Sequence, residues 1–161
     1  MSRPAVVEVA IGEVAFLEGQ GVLLARGLGS CVAVVIYAAD QKRAGMAHIF
    51  LQRPPDRLVE VSQPGKYATT AIHYLISRLL RPEAAAVRLQ AYMVGGASLF
   101  AFSAPQLEVG RRNVETVREL LRRQGVPLVL DDTGGTRGRT FAFDVATGRP
   151  RITVFGEDPV P

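Results

Sequence analysis

Residue types suited to covalent chemistry lie in the segment Gly27-Leu28-Gly29-Ser30-Cys31, which leads into the apolar run VAVVIY. Its cysteine is the only one in the chain. Glycines let a ligand approach the main chain closely, so amides near Ser30 and Cys31 are candidates to stabilise an oxyanion. A thiol is only partly ionised at neutral pH and needs a nearby base or cation to act as a nucleophile. The alternative is that Cys31 is a small core residue, the commoner role of a lone cysteine.

His48 is the candidate base for Cys31. It lies in an otherwise apolar predicted strand that a short polar loop joins to the strand after Cys31, and this arrangement predicts a hairpin. If Tyr37 pairs with Gly45, Cys31 lies opposite Leu51 and His48 points to the other face. A one-residue bulge, or a position of Cys31 in the turn before its strand, would return the two side chains to one face. The alternative is that His48 is a hydrogen-bonded structural residue.

Short strands and two helices are predicted from the apolar pattern. The first helix lies within Gly65–Leu80, and the second has Asn113 as its N-cap and runs to about Gln124. Many short strands with two late helices favour an α+β layered domain over a βαβ repeat, and 161 residues fit a single domain, 1–161. The predicted strands are Val6–Ile11, Val22–Leu24, Val32–Tyr37, Met46–Leu51, Val87–Val94, Leu128–Leu130, Thr140–Asp144 and Arg151–Phe155.

The composition excludes several classes of protein. With 48% hydrophobic and 21% charged residues, the chain resembles an ordinary globular protein. One cysteine excludes an intramolecular disulfide and a zinc site built on several thiolates, and His48 and His73 leave little else to hold a transition metal. No apolar run reaches the length of a membrane span, and Glu8 and Glu13 interrupt the N-terminal apolar stretch. We therefore expect a cytoplasmic protein without membrane insertion, and a monomer because no oligomer pattern is evident.

The positive charge comes almost entirely from arginine. The net charge is +4, and Lys42 and Lys66 are the only lysines among 19 basic residues. The arginines are scattered and are not interleaved with aromatic residues, so nucleic-acid binding is not expected. A solvated arginine-rich surface is the simpler interpretation, and an acidic protein partner is compatible with it.

Three other features have structural interpretations. The segment Gly95-Gly96-Ala97 follows a predicted strand but lacks the lysine and hydroxyl of a phosphate-binding loop, which favours a tight turn. Asp131-Asp132 precedes Thr133-Gly134-Gly135, which favours turn residues over paired acids or metal ligands. His73 lies opposite much of the apolar stripe of the first helix and is predicted to be exposed.

Five segments, taken in order, resemble the CheD family, the chemoreceptor glutamine deamidases of bacterial and archaeal chemotaxis. They are Gly27-Leu28-Gly29-Ser30-Cys31-Val32, Gly45-Met46-Ala47-His48, Val94-Gly95-Gly96-Ala97, Gly110-Arg111-Arg112-Asn113-Val114 and Asp132-Thr133-Gly134-Gly135-Thr136-Arg137-Gly138-Arg139. Each segment is weak by itself, but their order and spacing make the resemblance specific.

The resemblance implies a three-layer α/β/β sandwich and the hydrolysis of glutamine side chains to glutamate on methyl-accepting chemotaxis receptors. By position, Cys31 would be the nucleophile and His48 its base. From the residues themselves we expect Cys31 to react as a thiolate paired with protonated His48, and Ser30 to have an oxyanion or orienting role. No metal or organic cofactor is implied. The implied partners are the receptors and a CheC-type phosphatase.

One position departs from the family pattern. The family commonly has a threonine six residues before the cysteine, where it assists the histidine, and this chain has Ala25 there. Alanine has no hydroxyl to orient an imidazole, so a backbone carbonyl, a water, Ser30 or another side chain would have to replace it. The alternative function is therefore a catalytically weakened binding module for a CheC-type phosphatase or a receptor. A thiol hydrolase or amidase acting on a small molecule is a third hypothesis. The sequence leaves open which glutamines are chosen and whether methyl esters are also hydrolysed.

Overall fold

Two β-sheets and a helical layer make up the computed structural model, which describes residues 2–55, 62–81, 87–98 and 108–156. The central sheet has the strand order β2-β5-β4-β6-β7, and the small sheet has the order β1-β3-β8-β9. The strands are β1 Val6–Glu8, β2 Val14–Glu18, β3 Val22–Leu28, β4 Val32–Ala38, β5 Arg43–Ile49, β6 Leu89–Gly95, β7 Leu128–Thr133, β8 Arg139–Asp144 and β9 Arg149–Val154. The helices are α1 Ala68–Leu79 and α2 Glu108–Arg123.

The middle strand β4 explains the layered arrangement, because every one of its residues is buried. Side chains alternate across a strand. Val32, Val34 and Ile36 pack with α1 and α2, whereas the side chains between them pack with the small sheet. Helices, central sheet and small sheet are therefore three layers with two apolar cores. This confirms the α+β fold and agrees with the sandwich that the resemblance implied.

The first helix agrees closely with its prediction. Its buried residues are Ala68, Ala71, Ile72, Leu75, Ile76 and Leu79, and His73 is exposed as predicted. A polar connection joins the predicted strand of His48 to this helix. Its residues 56–61 lie outside the described residues. Neither helix in the described ranges is long and apolar enough to cross a membrane.

Three elements differ from their predictions. Helix α2 begins at Glu108, so Asn113 lies inside the helix and is buried, and is not its N-cap. Strand β2 was not predicted, because its short run VAFLE is only half buried at the edge of the central sheet. Strand β7 continues through Asp131 to Thr133, where a turn was expected. The Asp131 carboxylate accepts a hydrogen bond from Arg118 of α2 at 2.7 Å, and this ion pair accommodates a polar residue in the edge strand.

Candidate functional site

The β4–β5 hairpin places Cys31 and His48 on the same side of the central sheet. The register pairs Tyr37 with Ala44 and Ala33 with His48, one residue away from the pairing considered in the sequence. Residues opposite each other in an antiparallel pair project to one face, so His48 lies on the face of Ala33. Cys31 packs in the same cluster as Ala33, between the central and the small sheet. It directly precedes β4, in the turn before the strand.

A main-chain carbonyl orients the His48 ring. Nδ1 lies 2.9 Å from the carbonyl oxygen of Val9. An oxygen of this kind only accepts, so the hydrogen lies on Nδ1 and the neutral ring has its lone pair on Nε2. The Val9 amide in turn donates to the Leu24 carbonyl at 2.7 Å, and the His48 amide donates to the Glu13 carbonyl at 3.1 Å. The chain between β1 and β2 therefore determines which ring nitrogen is free to act as a base.

The two side chains favour their neutral forms at rest. Cys31 is 6% exposed and His48 is 2% exposed. Burial raises the pKa of the Cys31 thiol above 9.0. Burial also lowers the pKa of His48 below 6.5, partly opposed by the Val9 hydrogen bond and by the charge of Glu13. Among the described residues Nε2 has no hydrogen-bond partner. These directions favour a neutral thiol and a neutral imidazole over the thiolate–imidazolium pair expected from the sequence.

The lowered pKa of His48 gives a prediction for the pH dependence of activity. A base must be unprotonated, and the His48 pKa lies below 6.5, so activity is expected to persist as the pH falls through 6.5 and to decline only at lower pH. The acid limb of kcat/KM, measured against pH with a fixed substrate, reports this group in the free protein. An acid limb with its midpoint above pH 6.5 would contradict the proposed environment of the ring.

Hydrogen bonds from the turn after β6 hold the segment that carries Cys31. The Ala97 amide donates to the Gly29 carbonyl at 2.8 Å, and the Gly96 amide donates to the Cys31 carbonyl at 2.8 Å. Within the described part of the chain, the amides of Ser30 and Cys31 donate no hydrogen bond. The carbonyls of Gly29 and Cys31 thus have partners, whereas these two amides have none among the described residues.

Glycines in the Gly95-Gly96-Ala97 segment allow its close packing where the chain leaves the end of β6. A Cβ on Gly95 would lie 2.3 Å from the Cys31 carbonyl oxygen, and Gly95 has a φ of +118°. A Cβ on Gly110 of α2 would lie 2.8 Å from the Gly96 carbonyl oxygen. Three of the glycine-containing motifs therefore meet behind the nucleophile candidate, where main chain packs against main chain.

Gly95→Ala is expected to destabilise the protein by about 4 kcal/mol or more, an exceptional cost for one substitution. Its Cβ would meet main chain, which cannot rotate away, and a φ of +118° is unfavourable for alanine. Gly125→Ala is the matched control, because Gly125 also has a positive φ but open space around its Cα; its cost should be about 1–2 kcal/mol. Urea unfolding of both variants measures the difference. Equal losses would show that the turn relaxes away from Cys31.

Arg139 connects two of the glycine turns, a role that the sequence did not reveal. Its guanidinium donates to the Gly95 carbonyl at 3.2 Å and to the Gly134 carbonyl at 2.8 Å. Its Nε lies 3.3 Å from a carboxylate oxygen of Asp132. The planar fork of arginine suits several acceptors at once. Arg139 thus anchors the turn that holds Cys31, and Asp132 contributes the opposite charge.

Ala25 and Ser30 do not orient the imidazole in this structure. Ala25 is completely buried in β3, opposite Phe141 of β8. Ser30 is half-buried, and no hydrogen bond joins its hydroxyl to His48 within the described residues. Among the kinds of group considered as replacements for the family threonine, a backbone carbonyl, that of Val9, accepts a hydrogen bond from the His48 ring.

A cleft of about 560 Å³ opens beside the segment that carries Cys31. Its lining includes Gly27 and Gly29, and also Phe155, which is 82% exposed. The remaining lining comes from Gly138, Arg139, Thr140, Thr153, Val154 and Gly156. Among the described residues, no group of three or more His, Cys, Asp or Glu side chains is placed to hold a metal ion.

Comparisons with known proteins agree with the motifs. The CheD family, described as CheD chemotactic sensory transduction, matches residues 52–154. The probable chemoreceptor glutamine deamidase CheD of Desulfitobacterium hafniense (strain DSM 10664 / DCB-2) is 41% identical over 149 residues, which cover 91% of this chain and 92% of that protein. The chemoreceptor glutamine deamidase CheD of Thermotoga maritima is 40% identical over 148 residues, 92% of this chain and 91% of that protein. The similarity thus extends over nearly the whole length of both chains, and this chain belongs to the CheD family.

Proposed function

We propose that this protein is a chemoreceptor glutamine deamidase that converts glutamine side chains of methyl-accepting receptors to glutamate in the cytoplasm. The observation that carries the proposal is the His48 ring, whose Nδ1 is engaged by Val9 while Nε2 stays unpaired on the face that carries Cys31. The relatives named as chemoreceptor glutamine deamidases supply the substrate class.

The first half of the reaction forms a thioester. Nε2 of His48 takes the proton of the Cys31 thiol as sulfur attacks the side-chain amide carbon of glutamine. Burial favours the neutral forms of both groups, and we therefore infer that proton transfer accompanies the attack. His48 then gives this proton to the amide nitrogen, the carbon–nitrogen bond breaks, and ammonia leaves.

The second half hydrolyses the thioester. His48 removes a proton from water, the resulting hydroxide attacks the acyl carbon, and the carbon–sulfur bond breaks to release glutamate. The sulfur regains a proton from His48, so the sum is glutamine and water giving glutamate and ammonia. In both halves the amides of Ser30 and Cys31 stabilise the oxyanion, in keeping with their lack of partners among the described residues.

The cleft beside Gly29 is the proposed entrance for the receptor segment. Gly27 and Gly29 in its lining allow a substrate main chain to approach the segment that ends in Cys31. Exposed Phe155, also in the lining, supplies apolar contact area for a receptor helix. The reaction needs no metal or organic cofactor, because sulfur, imidazole and amide groups perform every step.

The proposal is tested by incubating receptor cytoplasmic fragments with the protein and mapping the glutamines by mass spectrometry. Each converted site gains about one dalton and releases one ammonia. Iodoacetamide provides the control, because the chain has a single cysteine and alkylation therefore blocks Cys31 alone. Conversion that continues after complete alkylation would contradict the mechanism. Binding of a receptor or a CheC-type phosphatase without any ammonia release would support the alternative, a binding module.

A further inference from the structure

The ladder between β4 and β5 ends just before the candidate site. Its last pair on this side is Val32 with Ile49. Beyond that pair, the amides of Phe50 and Leu51 both donate to the Lys66 carbonyl at 3.0 Å, away from β4. The chain carrying Cys31 and the chain leaving His48 are therefore no longer joined by direct main-chain hydrogen bonds at this point.

Asn113 of α2 bridges this gap. Its Nδ2 donates to the Phe50 carbonyl at 3.0 Å and, more weakly, to the Ser30 carbonyl at 3.4 Å. A carboxamide NH2 group has two hydrogens, so one group serves both strand ends. Asn113 is completely buried, and the close approach of Gly110 to the Gly96 carbonyl holds α2 against this end of the sheet.

The chemistry of the position favours a positioning role. Within the described residues the Asn113 Oδ1 has no hydrogen-bond partner, and an unpaired buried acceptor is costly. Core stability alone would favour an apolar residue at this place in the helix. The two donated hydrogen bonds explain why an asparagine stands here despite the cost of its unpaired oxygen.

We infer that Asn113 is a positioning residue that sets the spacing between Cys31 and His48. It holds the residue before Cys31 and the residue two after His48, so it connects both members of the pair across the open end of the ladder. The inference rests on the proposed function, because it assumes that His48 acts on the Cys31 thiol. Asn113 itself need not touch the substrate.

Two measurements test the inference: alkylation of Cys31 by iodoacetamide, which requires no receptor, and steady-state deamidation of receptor fragments. Asn113→Leu keeps the approximate size and removes both donors. Asn113→Asp keeps the shape and places acceptor oxygens against two carbonyls. Leu121→Ala is the matched control, since Leu121 is a buried core residue of α2 about 12 Å farther along the helix. All variants are compared at a temperature where each is folded, and the His48→Gln substitution is combined with each of them.

Loss of positioning is expected to lower kcat for deamidation by about tenfold to a hundredfold in both Asn113 variants, with KM nearly unchanged. Leu121→Ala should retain the wild-type kcat. His48→Gln should slow alkylation in the wild-type and Leu121→Ala backgrounds, but much less in the Asn113→Leu background, and this non-additivity measures the coupling. If His48→Gln slows alkylation as strongly in the Asn113→Leu background as in the wild-type background, the inference is overturned. If His48→Gln has no effect even in the wild-type background, the base role fails and the inference falls with it.

Discussion

Cys31→Ala is expected to lower the rate of receptor deamidation by at least about 10⁴-fold, the largest effect of any single change in this chain. Without sulfur no thioester forms, and the remaining amide and imidazole groups act only on water. The residue is small and only slightly exposed, and alanine fits its place between the sheets. The folded structure should therefore survive, so that the loss of rate belongs to the chemistry.

The measurement is ammonia release from receptor fragments, with circular dichroism and thermal unfolding run on the same samples. Cys31→Ser is the matched variant, since it preserves size and replaces only sulfur by oxygen. A hydroxyl is a weaker nucleophile than a thiol, so this variant should also be nearly inactive. If Cys31→Ala still releases ammonia faster than receptor fragments without protein, the nucleophile must be a group other than Cys31.

His48→Gln is expected to lower kcat by about 10³-fold, within the usual range for a general acid–base. Glutamine retains an NH2 group to donate to Val9, but it has no basic nitrogen to accept the thiol proton. The loss should appear in kcat, because the imidazole is needed for proton transfer and not for holding the receptor. The acid limb assigned to this ring should disappear from the pH profile as well.

Steady-state kinetics from pH 5 to 9 separate this outcome from misfolding. Replacement of exposed His73 by glutamine is the control, because it is the same chemical change outside the site. His73→Gln should leave both kcat and the acid limb unchanged. Retention of the acid limb in His48→Gln would mean that a different group titrates, and the base would have to be assigned elsewhere.

The layers were predictable because they follow from local patterns. The run VAVVIY is apolar at every position, which is what a strand with a core on each face requires. The apolar stripe of α1 repeats at helical spacing. The hairpin register was not predictable, since it depends on how many residues the connection uses. A 3₁₀ turn over Ala39–Gln41 and a left-handed Lys42 leave Ala38 paired with Arg43, and this moves every later pair by one residue.

Of the site, the sequence could predict only the residues whose side-chain type by itself indicates a chemical role. Cys31 and His48 stood out as residue types, and the structure places them on one face. Asn113 was noticed in a motif but interpreted as a helix cap, because its partners Ser30 and Phe50 are distant in sequence. Arg139 was likewise part of a motif without an assigned role. Contacts between segments far apart in the chain leave no local pattern.

The hydrogen bond between His48 and Val9 has a consequence for how this site can change during evolution. The acceptor belongs to the peptide group, so no codon change at position 9 removes the oxygen itself, whereas a threonine hydroxyl disappears with one replacement. The orientation of the His48 ring therefore does not depend on a hydroxyl at position 25, where this chain has alanine. Alignments that score side chains will overlook this component, and homologues lacking the threonine should not be dismissed as inactive on that ground.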